Sequence, residues 1–302
     1  MHPPARLIPG SGALQIPSIK VQLAVDTGGR EFAVKTMRKV RGLATREASL
    51  RKIKREARLM RMAQSCQGVV QLVDCFEEAE FVHLVTEVCR GGDLKKHVEA
   101  HGPLSERMLA HTACEVLKIV RDMHALGIVY ADVKPANFCL ADEWVESASG
   151  DSVADSAAGE VGWRIKAIDF GCSQLFGPEA GRSPRLSKRT GTLAFMAPEI
   201  FDHDFSAKAD VWSTGVSLYW LFTGRLPYWG EGEVPNLSRV DDMAALARGA
   251  PMALDYGPWL SMSEEGTSFI TGCLTRSESD RLDVDAALAH PWIAKRAPRF
   301  RQ

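Results

Sequence analysis

The stretch Tyr130-Ala131-Asp132-Val133-Lys134-Pro135-Ala136-Asn137, with Asp169-Phe170-Gly171 and Ala197-Pro198-Glu199 behind it, decides how this chain reads. It sets an acid, a lysine two residues on and an asparagine five residues on in one compact loop. Asp169, just ahead of Phe170-Gly171, supplies a further hard oxygen for a metal ion.

Upstream of that loop, residues 19–26 alternate as a strand, Gly28-Gly29-Arg30 makes a turn, and 31–35 reads as the returning strand. Leu50, Ile53, Ala57 and Met60 recur at helical spacing, which predicts an amphipathic helix over 45–63. Residues 69–75 and 82–88 read as two more strands, and Gly91-Gly92 marks a hinge. Helical patterns follow over 93–100, 105–126, 206–223, 238–248, 263–274 and 283–289, with Ser105-Glu106 and Gly127 as cap signals. Strands first and helices later predict an α+β chain of two lobes. The expected division is one domain over 1–302, with a strand-rich N-lobe to about 89 and a helical C-lobe from 90.

The 302 residues are 45% hydrophobic and 25% charged with net charge −1, so bulk charge predicts neither nucleic-acid nor membrane binding. No long apolar run and no charged-then-apolar leader is present, and His2 excludes N-myristoylation of this start. The seven cysteines form no CxxC pair, which reads as reduced thiols in a cytoplasmic or nuclear protein. The eight dispersed histidines read as structural or surface groups. A monomer is expected. Residues 35–61 carry eleven Lys/Arg against two Glu, best read as the solvated face of a helix. Residues 141–160 hold six acids, four serines and no base, and read as an acidic loop insertion.

Phosphoryl transfer needs positioning and charge neutralisation more than covalent help, and each need has a candidate here. Lys35, on a strand, would grip the α and β phosphates of ATP. Glu56 on the following helix would aim it, with Glu47 as the weaker alternative. Asp132 would accept the proton of a substrate hydroxyl, Lys134 would neutralise the moving phosphoryl group, and Asn137 and Asp169 would hold Mg²⁺.

On these motifs the chain resembles the eukaryotic-type protein kinases over nearly its whole length. Asp132-x-Lys134-Pro135-x-Asn137 and Gly191-Thr192 ahead of Ala197-Pro198-Glu199 resemble the serine/threonine group. Residues 82–94 and His290-Pro291-Trp292-Ile293 are similar to the kinase domains of calcium/calmodulin-dependent and plant calcium-dependent kinases. The resemblance implies the two-lobed kinase fold, ATP and Mg²⁺ as cofactors and a protein substrate. It implies Val21 and Ala33 in the nucleotide pocket and Thr86 as gatekeeper. Backbone groups of Glu87 and Cys89 would meet adenine, and Asp93 would lie near the ribose. Asp210 would brace the catalytic loop, and Arg281 would pair with Glu199.

Four positions depart from that pattern. Gly10-Ser11-Gly12 resembles the start of a phosphate-covering loop, but Gln15 stands where a third glycine belongs and Pro17 follows. Ala131 replaces the arginine that commonly pairs with an activation-loop phosphate, so weak dependence on phosphorylation of Ser183, Ser187 or Thr190 is expected. Ala136 replaces an acid common in relatives that prefer basic substrates. Cys172 would lie beside the ATP site, read as an inert, partly buried thiol. No EF-hand loop occurs, so direct Ca²⁺ control is not expected. The alternative to an active enzyme is a pseudokinase serving as a nucleotide-binding or scaffold module.

Overall fold

The computed structural model describes residues 6–7, 19–39, 43–142, 163–177, 185–228 and 239–296. Gly10, Gly12, Gln15, Pro17, Ser183 and residues 143–160 of the acidic stretch lie outside them.

Strands β1 (Arg6–Leu7), β2 (Ile19–Val25), β3 (Glu31–Arg38), β4 (Leu72–Glu77) and β5 (Phe81–Thr86) form one antiparallel sheet in the order β1-β2-β3-β5-β4. Asp26 shapes the β2–β3 turn, accepting hydrogen bonds from the amides of Gly28 and Arg30 at 2.8 and 2.9 Å. Gly29 completes that turn at φ 83°, a region that favours glycine. The resulting register sets Val21 opposite Lys35 and Leu23 opposite Ala33. Across the other edge of β3, Lys35 pairs with Leu84 and Ala33 with Thr86. Because side chains alternate, Val21, Ala33 and Lys35 share one face of the sheet.

Helix α1 (Leu43–Met62) buries Ile53, Glu56, Ala57 and Met60, the i, i+3, i+4, i+7 stripe of an amphipathic helix. Glu56 is the one charged residue in that stripe, and a buried carboxylate needs a cation. The strand expected at 69–75 begins only at Leu72. Val69 and Val70 are buried, but Val70 N–H donates to the Ala167 carbonyl (3.1 Å) and Ala167 N–H to that of Gly68 (2.8 Å). Those residues therefore stitch the sheet to the second lobe instead of extending β4.

That lobe contains α2 (Leu94–His101), α3 (Glu106–Ala125), α4 (Lys208–Thr223), α5 (Val240–Gly249), α6 (Glu264–Cys273), α7 (Val284–Leu288) and α8 (Pro291–Arg296). Asp93, Ser105, Ser263 and Asp283 cap the N-termini of α2, α3, α6 and α7 through their side chains. Helix α4 is buried on nearly every side and forms the axis of the lobe. Two small ladders lie at the lobe boundary: β6 (Ile128–Val129) with β9 (Gln174–Leu175), and β7 (Phe138–Leu140) with β8 (Ile165–Ala167). The spacing located all the helices except α8 to within about two residues, the usual accuracy at helix ends.

A histidine cluster joins α2 and α3 to the segment that enters β8. The His97 and His101 rings stack at 4.5 Å, Trp163 meets His97 edge-on at 4.9 Å, and the Trp163 carbonyl faces His111 Nε2 at 3.0 Å. Burial, and secondarily His101, push the His97 pKa down to about 4. The His111 value is lowered too, again chiefly by burial. A histidine held neutral by the fold contributes stability that is complete above its unfolded pKa near 6.5 and is lost as pH falls toward 4. Unfolding free energy is expected to drop by about 1–2 kcal/mol over that window. Urea titrations at pH 7, 5.5 and 4.5 should show a shallower fall in His97→Phe; equal slopes would acquit the imidazole.

Candidate active site

The register of β3 and the buried stripe of α1 converge on one ion triad. Lys35 Nζ lies 2.7 Å from Glu56 Oε1 and 3.0 Å from Asp169 Oδ1. Burial alone would lower the Lys35 pKa, but the two carboxylates outweigh it and hold the ammonium above its ordinary value. Burial raises the Glu56 carboxyl against the pull of Lys35. Asp169 stays below its ordinary value because Lys35 and the Gly171 amide (2.9 Å) overcome its desolvation. Glu47 instead pairs with Arg51 at 3.4 Å on the exposed face of α1.

The loop that follows β6 is built around Asp132. Its Oδ1 accepts from the amide and hydroxyl of Thr192 at 2.8 and 2.7 Å. Its Oδ2 accepts from Asn137 Nδ2 and pairs with Lys134 Nζ, both at 2.9 Å. Lys134 Nζ also donates to Thr192 Oγ1 at 2.7 Å. The contact role of Thr192 was not legible from spacing, since sixty residues separate it from Asp132.

The loop holds a demanding backbone shape. Ala131 sits at φ 63°, a left-handed conformation that costs an L-residue about 1–2 kcal/mol. Asp210, fully buried in the first turn of α4, offsets that cost by accepting the amides of Tyr130 (2.8 Å) and Ala131 (2.7 Å). His124 Nε2 meets the same carboxylate at 2.9 Å. Tyr130 is buried against Phe170, ring centroids 5.6 Å apart, which ties the loop to Asp169-Phe170-Gly171.

Between the lobes a cleft is lined above by Val21, Ala33 and Lys35, behind by Met60 and Val70, and below by Cys139 and Ile168. Thr86, Glu87, Val88 and Cys89 form its inner edge. The Glu87 carboxylate turns away, bound to Lys166 and to the Gln71 amide. The carbonyl of Glu87 and the N–H of Cys89 take part in no backbone hydrogen bond among the described residues. Asp93 pairs with Cys139 in a backbone bridge beside the cleft floor, but its carboxylate is occupied with the Lys96 amide at 2.9 Å. Sequence reasoning missed Cys139 and Ile168, which carry no motif. Burial, followed by the charge of Glu87, raises the Cys89 thiol to about 11, and burial raises Cys139 to about 12.

The description "Protein kinase domain" matches residues 18–293 of this chain. The chain belongs to the protein kinase family. It is related to plant calcium-dependent protein kinases. It is 30% identical to calcium-dependent protein kinase 25 of Arabidopsis thaliana over 272 residues, covering 90% of this chain and 47% of that protein. It is 33% identical to kinase 10 of the same name and organism over 309 residues (97% and 51%). It is 34% identical to calcium-dependent protein kinase 9 of Oryza sativa subsp. japonica over 279 residues (91% and 44%). The kinase thus spans about half the length of the curated relatives it matches.

Within the kinase fold, the donor set suits a hard divalent cation. Asn137 spends its Nδ2 on the Asp132 carbonyl and carboxylate, which leaves its Oδ1 unengaged by protein donors. Asp169 likewise keeps Oδ2 outside its bonds to Lys35 and Gly171. No group of three or more His, Cys, Asp or Glu among the described residues could hold a metal. Two oxygens without a full cage fit Mg²⁺, which keeps waters and takes substrate phosphates as its other ligands. Below the site, Arg281 is fully buried and grips both oxygens of Glu199 while stacking over Trp212 at 5.0 Å.

Proposed function

We propose that the protein is an active Mg-ATP-dependent serine/threonine kinase. The observation that carries this reading is the closed triad of Lys35, Glu56 and Asp169 above an Asp132 carboxylate already joined to Lys134, Asn137 and Thr192. Adenine fits between the faces of Val21 and Ala33 and those of Cys139 and Ile168, with hydrogen bonds to Glu87 O and Cys89 N. Asp93 stands at the ribose end. Lys35 binds the α and β phosphates and is held to that task by Glu56.

Asn137 Oδ1 and Asp169 Oδ2 would hold Mg²⁺, whose charge offsets that of the phosphates. Asp132 orients the substrate hydroxyl and takes its proton as the new O–P bond forms. The bond from the γ phosphorus to the β-γ bridging oxygen breaks, and its electron pair leaves with ADP. Lys134, fixed by Asp132 and Thr192, neutralises charge on the moving phosphoryl group.

The test is transfer of labelled γ-phosphate from Mg-ATP to peptides that differ only in carrying Ser, Thr or Tyr. Label is expected on Ser and Thr. Label on Tyr alone would sink the specificity. No label on any peptide, with Mg-ATP binding intact by thermal shift, would favour the scaffold alternative.

A further inference from the structure

We propose that Arg185 is a positioning residue that clasps the activation segment in its working shape, so that the kinase needs no phosphate on that segment. This rests on the active-kinase reading above. The segment runs from Asp169 toward Glu199, and its second half must present Thr192 to Asp132 and Lys134.

Arg185 forks across two elements outside the segment. Its Nε lies 2.7 Å from Asp204 Oδ1, its Nη2 donates to the Asp204 carbonyl at 2.6 Å, and its Nη1 reaches Glu278. The other Glu278 oxygen accepts the Ser206 amide at 2.8 Å, so the acid is itself fixed. Next along the chain, Leu186 and Phe205 exchange backbone hydrogen bonds of 2.7 and 3.0 Å. The Ser187 carbonyl meets His203 Nδ1 at 3.0 Å, and the Lys188 carbonyl accepts from Gln174 Nε2 at 3.0 Å. Each residue from 185 to 188 is thus anchored in turn.

The same contacts show where a phosphate would find nothing to bind. Gln174, which meets Lys188, is neutral, and residue 188 is itself a lysine. Ala131 meets the segment through its carbonyl, against which Gly191 packs so closely that an added Cβ would come within 2.3 Å. Neither position offers a cation to an anion on the segment. An isolated exposed ion pair contributes little, but a guanidinium fixed by two acids and a carbonyl adds geometry as well as charge. The clasp lies away from the Lys35–Glu56–Asp169 triad, so loosening it should disturb the peptide side of the site and spare the nucleotide side.

The experiment compares wild type, Arg185→Ala, Arg185→Lys and Glu278→Gln in the full chain. Arg185→Ala should lower kcat/KM for peptide by roughly tenfold or more and leave the ATP Kd within about twofold. Hydrogen exchange at the Leu186 and Thr192 amides should speed up by about tenfold. Arg185→Lys should recover part of both losses, because a point cation keeps one arm of the fork. Glu278→Gln retains an acceptor for Ser206 and should weaken the same readouts non-additively with Arg185→Ala. Wild type stripped of phosphate, checked by intact mass, should keep its activity. Wild-type exchange and activity in Arg185→Ala, or loss of wild-type activity on dephosphorylation, would overturn the proposal. If wild type transfers no phosphate at all, the kinase reading fails instead, and exchange still decides the clasp: faster supports it, unchanged refutes it.

Discussion

Asp132→Asn is expected to retain Mg-ATP binding while kcat falls by about 10²–10⁴-fold. The carboxylate is buried, and four donors converge on its two oxygens. An amide in its place keeps an oxygen for Thr192 but turns an NH₂ toward the Asn137 amide and the Lys134 ammonium. It also has no basic oxygen to take the hydroxyl proton. The nucleotide contacts of Lys35 and the cleft walls lie elsewhere, so a titration of Mg-ATP should give a near-native Kd. A mutant with native kcat would remove Asp132 from the acceptor role.

Glu199→Ala is expected to cost about 3–5 kcal/mol of stability, because it strands a buried cation. Arg281 has no exposed side-chain surface, and Glu199 is its single anionic partner. Its remaining contacts are the carbonyls of Thr275, Lys208 and Arg276 and the Trp212 ring. Those dipoles orient the guanidinium without neutralising it. Chemical unfolding should show the loss, and Arg281→Met with Glu199→Ala should return part of it, since an apolar replacement of both members removes the stranded charge. Equal stability of Glu199→Ala and wild type would show that the pair carries none of the fold's stability.

The residues that do chemistry here were legible because phosphate, metal and proton each restrict the allowed side chain, and the loop compresses three of them into six positions. Glu56 was legible for a different reason: it interrupts an apolar stripe, and an acid in a core position calls for a buried cation. What stayed illegible depends on contacts between distant segments. Thr192 on Asp132, His124 on Asp210 and Arg185 on Glu278 have no periodicity to reveal them. Val69 and Val70 look like a strand because they are β-branched and buried, yet their partner is Ala167 across the lobe boundary. Cys139 and Ile168 became recognisable only as the cleft floor, where apolar shape matters more than residue type. Helix α8 is too short for a repeating apolar stripe to declare it.

The two thiols in the cleft set a rule for chemical probes. Protonated at neutral pH, with a pKa of about 11 for Cys89 and about 12 for Cys139, they expose a thiolate fraction of only about 10⁻⁴ or less. Small electrophiles and dilute peroxide will therefore pass them by, although both line the cleft. An irreversible inhibitor of this protein must first win residence through shape and hinge hydrogen bonds, and its warhead must wait beside Cys89 for a rare deprotonation. Potency will follow the reversible binding step, and indiscriminate alkylating reagents will misreport the cleft as lacking cysteine.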